Sequence, residues 1–498
     1  MAINTKTYSD NKLVQQDDFR ITEVVLYNYK GDAENLTENL LAIDVFESIY
    51  NHTLTGKLTF SDQSSFVERM PIVGKEFLEF RLRTPVQYSG AYGGEINAVT
   101  QKFFVYKVSI EQATFRNQVV TLHFASAEML RNQRVRVSKA YEGAYDKAVA
   151  DIFKSSNILN SKKPLFLERT RLNQKVVIPN LRPFDAINMF CSRSLSTISN
   201  SASFFFYETT QGFHFRSLDS MVRDLKSGVG PAESMFTYRL ETSGMPNPSS
   251  PGEDAYRDLE RVYSHKFNNA LDTIADTRSG MMSSKLITHD LYNKTFGTKE
   301  FNYAKDYFTL PHLENDISES EFPNKYSMIP ESPADPSEDN TNKEGRNNIY
   351  TDYTDGVIMV QSTTANVHNT NLASGYHAEN TLQSRTHSLE ILKSLQLTIE
   401  TPGNTHINAG QVVNVTVPSY AGEVFEKGEK QYNKFTTGRY LVTDLRHSID
   451  FNAQKHRTIL TLSKETYGTP LVNSLAKPDI DMEDEQIVVE LGVNKEYA

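Results

Sequence analysis

Lys102-Phe-Phe-Val-Tyr-Lys-Val108 and Arg439-Tyr-Leu-Val-Thr-Asp-Leu445 share one pattern: a basic residue, an aromatic, an apolar residue, then valine. Each is followed by a polar turn and a closing strand that alternates, Val120/Leu122/Phe124 in the first and Thr458/Leu460/Leu462 in the second. Upstream of each stands a glycine and another alternating strand: Gly74 before Leu78/Phe80/Leu82, and Gly410 before Val413/Val415/Val417. Gly74 to Val105 is 31 residues and Gly410 to Val442 is 32. The shared order and spacing predict one β-module used twice, against the plain alternative that any two hairpins of one protein look alike.

Working outward, strand text opens at Ile21. Leu41–Tyr50 alternates in part, and Gly56, Leu58 and Phe60 fall on one face with Leu54, the period of a half-buried strand. From Glu76 to Arg83, Leu78, Phe80 and Leu82 share a face. Short antiparallel strands at this spacing predict a barrel or sandwich. The period changes over 145–156, where Val149, Ile152 and Phe153 form a helical face, and a second helix opens at Pro183, a favoured first-turn residue. Phe204–Tyr207 and Phe213–Phe215 read as a hairpin. Strands return at Met235–Leu240 and Ser284–Ile287, a helix at 376–394, and strands again from Leu395 to Leu462.

The expected organisation is a polar arm at 1–18, a first β-barrel over 19–129 and a small α+β domain over 130–228. A second barrel follows, split into 229–303 and 391–467. Between its halves lies an insertion at 304–390 with a Pro/Asp/Asn-rich loop at 331–347, and an acidic extension at 468–498 closes the chain.

Composition removes several functional classes. The 498 residues carry 52 Lys and Arg against 62 Asp and Glu, a net charge of −10, which disfavours a dedicated nucleic-acid binder. No apolar run approaches the ~20 residues of a membrane helix, and the first twenty residues lack the apolar core of a secretory signal. A single cysteine, Cys191, excludes an internal disulfide framework. Synthesis in a cytoplasm is the expectation. Charge is uneven: residues 131–182 hold twelve basic and four acidic side chains, and residues 477–498 hold seven acids and two lysines.

Three stretches carry a family resemblance. They are Tyr50-Asn-His-Thr-Leu-Thr-Gly-Lys-Leu-Thr-Phe-Ser-Asp62; Pro183-Phe-Asp-Ala-Ile-Asn-Met-Phe190 with Phe204–Leu218; and Thr401-Pro-Gly-Asn404, Ala409–Val413, Thr437–Val442 and His447. In this order they resemble the central baseplate hub of contractile-tailed bacteriophages and the related N-terminal region of VgrG spike proteins, from about 40 to 465. The resemblance implies a mainly β fold with α+β insertions, two tail-tube-like β-barrel domains and smaller α+β domains. It implies a non-enzymatic virion protein: a homotrimeric ring that adapts a six-fold tail tube to a three-fold cell-puncturing spike. Partners would be the spike protein, a tail-tube or tube-initiator protein, and tape-measure and baseplate wedge proteins, with DNA only in passage through a central channel and no membrane insertion. The chain departs from compact hubs by its length near 304–390 and after 470. Nothing after 470 resembles the later domains of a full VgrG, so a separate spike is implied. The hub of a phage-derived injection system is a neighbouring reading, and a tail-associated cell-wall hydrolase or carbohydrate-binding protein is the alternative of a different class.

Catalytic signatures are not found: no Walker A, G-x-G-x-x-G, H-E-x-x-H or G-x-S-x-G sequence. No cofactor or metal is expected. His368, His377 and His387 lack ligand spacing, Cys191 reads as a buried thiol, and the acid pairs Asp17-Asp18 and Asp481/Glu483 fall in polar, mobile segments. Candidate interface residues are basic and acidic. Arg131, Arg134 and Arg136 lie in a segment whose alternation with Val135 and Val137 predicts a strand with a basic face, weighed evenly against a solvated face. Asp481, Glu483, Asp484 and Glu485 precede the apolar run of Val488 and Leu491, which suits a docked tail.

Overall fold

The computed structural model describes residues 17–62, 66–70, 72–85, 95–114, 117–171, 174–198, 202–223, 236–240, 259–269, 272–290, 294–306, 310, 313, 354–363, 378–418, 433 and 436–465. The fold is mainly β. Twelve strands carry the repeat. In the first unit they are β1 (Val25–Tyr27), β2 (Leu40–Ser48), β3 (Thr55–Asp62), β4 (Phe77–Glu79), β5 (Phe103–Thr114) and β6 (Asn117–Ser126). In the second they are β7 (Thr237–Arg239), β8 (Ser264–Asn269), β9 (Leu395–Pro402), β10 (Val412–Thr416), β11 (Gly438–Asp450) and β12 (Lys455–Lys464).

Hydrogen-bonded neighbours run β2-β3-β6-β5-β4-β1 in the first unit and β8-β9-β12-β11-β10-β7 in the second. The two orders are the same, strand for strand. They even share an irregularity. Phe124 faces Val105 and His123 faces Lys107, so Tyr106 is an unpaired bulge residue. Leu462 faces Val442 and Thr461 faces Asp444, so Thr443 is the bulge residue of the second unit. A bulge adds a residue to one strand and raises the local twist. Its recurrence at the matching place of both hairpins is hard to reach by two unrelated meanders. Gly74 and Gly410 also match, with φ of +82° and +83°. The copies differ at the outermost pair: β1 runs antiparallel to β4, whereas β7 runs parallel to β10.

Each unit wraps its own core. Leu58, Phe60, Phe80, Phe103, Phe124 and their neighbours fill the first, and Leu397, Ile399, Val413, Tyr440, Leu460 and Leu462 the second. Alternation places them there: Gly56, Leu58 and Phe60 of β3 are buried. Gly56 is required because a Cβ would come within 2.2 Å of the Phe124 ring. The units are fused edge to edge by pairing of β2 with β11, giving one 13-stranded sheet.

The α+β region has a third core, with helices α1 (Ala127–Arg134), α2 (Tyr145–Lys154) and α3 (Pro183–Cys191), the last opened by Pro183 as expected. Its hairpin, Phe204–Thr209 with Gly212–Ser217, is buried at every position. Phe204 and Phe206 face the local core, while Phe205 and Tyr207 enter a fourth core with Ile49, Ala409, Val412, Leu441 and Leu392 of α4 (Ala378–Ser394).

Three local expectations are corrected. Glu76–Arg83 is not one strand: Phe77–Glu79 joins the large sheet, and Arg81–Arg83 pairs with Arg20–Ile21 and Glu95–Asn97. The apolar alternation runs through Phe80 unbroken because Leu78, Phe80 and Leu82 all fill the same core. Ser283–Asp290 and Thr295–Asn302 do not extend the second unit; they form a separate three-stranded sheet with Ile358–Thr363, so the interruption of that unit starts before residue 304. Residues 131–139 are not a strand; α1 continues to Arg134 and only Val137 makes a bridge, to Leu181. The 331–347 loop and the 468–498 extension lie outside the described residues.

Candidate functional site

Strand β11 is the seam of the molecule. Its first residues pair with β10, from Leu441 opposite Val412 to Gly438 opposite Val415. Its later residues pair on the same edge with β2, from Asp444 opposite Ser48 to Asp450 opposite Ala42. Ile449 and, just beyond, Phe451 sit in the core of the first unit although the second unit supplies them. Arg446 donates from Nε and Nη2 to the two carboxylate oxygens of Asp44, both at 3.0 Å, and lies 5.7 Å from the Phe46 ring centre.

The α+β region is bolted to this seam by buried carboxylates. Glu47 of β2 accepts N–H groups from Thr210 and Ala409, each at 3.1 Å, and so joins three parts of the chain. Burial, with the negative charge of Glu208 adding to it, pushes the Glu47 carboxyl up to about 8 against those two hydrogen bonds. Glu208 accepts the Leu54 N–H at 2.9 Å. Lys163 lies between Glu208 at 2.5 Å and Glu128 at 2.8 Å, and Glu128 also accepts the Ser161 hydroxyl. Burial raises the Glu208 carboxyl despite Lys163; at Glu128 burial is outweighed by Lys163 and Ser161, and the carboxyl falls below its usual range. His52 Nδ1 lies 2.9 Å from the Phe206 carbonyl. The Tyr50–Asp62 stretch and the Phe204–Leu218 stretch are thus hydrogen-bonded to one another.

Among the open edges of the large sheet, as far as the described residues go, are the later part of β5 and the outer side of β8. Beyond its contact with β4 at Phe104, β5 has β6 on one side only. Strand β8 pairs with β9 on one side only. Ile110 on the first edge is 51% exposed, with Glu111 exposed beside it, and Lys266 is exposed on the second.

The residues singled out from the sequence scatter. Arg131 is turned inward from α1, and its Nη1 donates to the carbonyls of Leu159 and Asn160 at 3.0 and 2.8 Å. Arg134 and Arg136 are exposed, one at the end of a helix and one in the chain after it, so they do not share a strand face. Asp481, Glu483, Asp484, Glu485, Val488 and Leu491 lie outside the described residues, as do His368 and His377. His387 is buried against the Met281 carbonyl. Cys191 is buried and its thiol is pushed up to about 12 by desolvation. Asp17 does not sit in a mobile segment: it is buried, accepts the Tyr263 hydroxyl at 2.8 Å, and its carbonyl accepts the His456 N–H. Asp18 pairs with Arg20 at 2.7 Å. Among the described residues no group of three or more His, Cys, Asp or Glu could hold a metal, and no helix is long and apolar enough to cross a membrane.

Sequence reasoning missed Glu47, Lys163 and Glu208. An acid inside the alternating Leu41–Tyr50 run was the available signal for Glu47. Lys163 and Glu208 are far apart in sequence and carried none.

One curated protein is similar along nearly the whole chain. The probable baseplate hub protein gp334 of Vibrio phage KVP40 is 22% identical over 461 residues, spanning 87% of this chain and 92% of the relative. The chain resembles a phage baseplate hub protein. No family model matches. Among solved structures, a tail protein from Neisseria meningitidis MC58 superposes with a TM-score of 0.49 at 9% identity, over 91% of this chain and 98% of that one. The 43 kDa tail protein of prophage MuSo2 from Shewanella oneidensis gives 0.48 at 9% identity, over 89% and 98%.

Proposed function

We propose that this protein is the structural hub of a contractile phage baseplate, in the virion tail, with no catalytic role. Three copies form a ring in which six β units, two per chain, meet a six-fold tail tube on one face and hold a three-fold spike on the other. A central channel passes the genome. The carrying observation is the duplicated strand order, bulge included, within one polypeptide. A chain with two like modules is what lets a trimer present six equivalent surfaces. The similarity to a baseplate hub protein over most of the chain supports the same reading.

In this reading each β unit is a tube-like barrel, over 19–129 and over the two parts of 229–467. The α+β region at 130–228 buttresses the seam. Exposed Arg134 and Arg136 form part of a basic interface with a neighbour, and the acidic 468–498 segment docks on the spike or on a neighbouring subunit. Tail-tube or tube-initiator, tape-measure and wedge proteins are the remaining contacts.

The test is the mass of the purified protein by light scattering, with negative-stain images. The expected result is a trimer that appears as a ring with a central hole. A monomer that degrades peptidoglycan or binds glycans would overturn the proposal in favour of a tail-associated hydrolase or lectin.

A further inference from the structure

The seam between the two units has an unused counterpart. Superposing Val105 on Val442 places Lys107–Ala113 of β5 on Asp444–Asp450 of β11, the segment that pairs with β2. Strand β8 is the counterpart of β2. Ile43 of β2 faces Leu58, which faces Leu122; His265 of β8 faces Ile399, which faces Leu460; and Leu122 and Leu460 are equivalent. So, among the described residues, β11 holds β2 at the position where β5 holds no strand, and β8 is open where β2 is held.

Resting on the trimer reading, we propose that the bare edges complete each other between copies: β8 of one chain adds antiparallel to the 107–113 edge of β5 in the next, repeating the internal seam. The internal register fixes the new one. His447 opposite Val45 becomes Ile110 opposite Phe267, and Ser448 opposite Asp44 becomes Glu111 opposite Lys266. Both pairs are complementary. Ile110, half in solvent, meets partly buried Phe267, and an exposed acid meets an exposed base. A second copy of this chain is the occupant these features fit.

The charges also keep the two seams apart. Inside the chain the acid, Asp44, is on the β2 side and the base, Arg446, on the β11 side. Between chains the signs are reversed, with Lys266 on β8 and Glu111 on β5. Exchanging partners would bring Lys266 beside Arg446 and Asp44 opposite Glu111, like charge against like. Repulsion of this kind selects partners by penalising the wrong ones. The chain therefore joins its own halves once and its neighbours once, alternately, around a ring.

Disulfide trapping in the full chain tests the register. Two double variants, Ile110→Cys with Phe267→Cys and Glu111→Cys with Lys266→Cys, cover both pair types, because adjacent antiparallel pairs alternate in Cβ spacing. On mild oxidation at least one should run as covalent trimer on a non-reducing gel, while the single variants and the off-register pair Glu111→Cys with Ser264→Cys should not. In a charge exchange, Glu111→Lys or Lys266→Glu alone should loosen the trimer several-fold and the two together should restore it. A trimer by light scattering that cross-links in neither double variant overturns the strand addition and leaves the trimer intact. A monomer at every concentration overturns both.

Discussion

At Gly74 and Gly410 one backbone conformation meets two environments. Both have φ near +80°, where a β-carbon is strained. Around Gly74 an added Cβ meets nothing within 4 Å, whereas at Gly410 it would lie 2.2 Å from the Tyr207 hydroxyl oxygen. Gly74→Ala should cost about 1 kcal/mol from strain alone. Gly410→Ala adds overpacking of the fourth core and should cost about 2–4 kcal/mol in urea unfolding. Equal losses at the two sites would show that the Tyr207 contact is easily relaxed.

Glu47 and the buried histidines give stability opposite pH slopes. A carboxyl whose pKa is raised to about 8 by folding binds its proton more tightly folded than unfolded. Its contribution is therefore present at low pH and lost as pH rises from about 4.5 through 8. Glu47→Gln, which removes the titration and keeps an acceptor for only one of the Thr210 and Ala409 N–H groups, should lower the melting temperature overall but flatten its fall across that window. His214 and His447 are pushed down to about 3 by burial, and burial, with His447 beside it adding to the effect, holds His456 well below its usual value. The unfolded chain takes up those protons near pH 6.5, so this part of the stability is lost as pH falls below 6.5. Melting curves of His447→Gln should show a shallower acid limb than the parent; an unchanged limb would clear His447 of any part in it.

Among the elements, β11 carries the most. Arg446 is the visible ion pair at the seam, but its side chain is 43% exposed. Exposed pairs contribute little, so Arg446→Ala should cost only about 0.5–1 kcal/mol. The seam rests instead on the seven-residue backbone ladder with β2 and on burial of Ile449. Ile449→Ala removes a fully buried side chain and should cost about 2–5 kcal/mol in the same denaturation experiment. A larger loss for Arg446→Ala than for Ile449→Ala would reverse this ranking. The bulges at Tyr106 and Thr443 act at the same scale. Val105 and Val108 both face the first core and Val442 and Leu445 the second, so deleting Tyr106 or Thr443 should leave a regular ladder with the flanking side chains on their present faces and remove only the added local twist.

For the whole molecule, the first unit is not self-sufficient. Ile449 and Phe451 complete its core from the far end of the chain. A fragment ending at Met129 should unfold at clearly lower urea than the full chain and with a broader transition. Coincident transitions in circular dichroism and fluorescence are expected for the full chain, whose units share β11; two resolved steps would mean that the seam transmits little.

Local chemistry made much of this legible from the residues. Strand periodicity, the Pro183 helix start, the Phe204–Phe215 hairpin and the two matched glycine-to-valine spacings depend on neighbours within a turn or a strand, and those neighbours are written in order. The basic strand at 131–139 was misread because alternating Arg and Val fit the end of a helix and the chain after it as well as they fit a strand. The early start of the separate sheet at Ser283 was hidden for a related reason, since a strand sequence does not name its partner. The fusion of the units through β2 and β11, the carboxylates that bolt the α+β region to the seam, and the open edges of β5 and β8 came only from the tertiary structure. Each depends on which strands lie side by side, and pairing across some four hundred residues is decided by the closure of the cores, to which no single stretch of sequence has access.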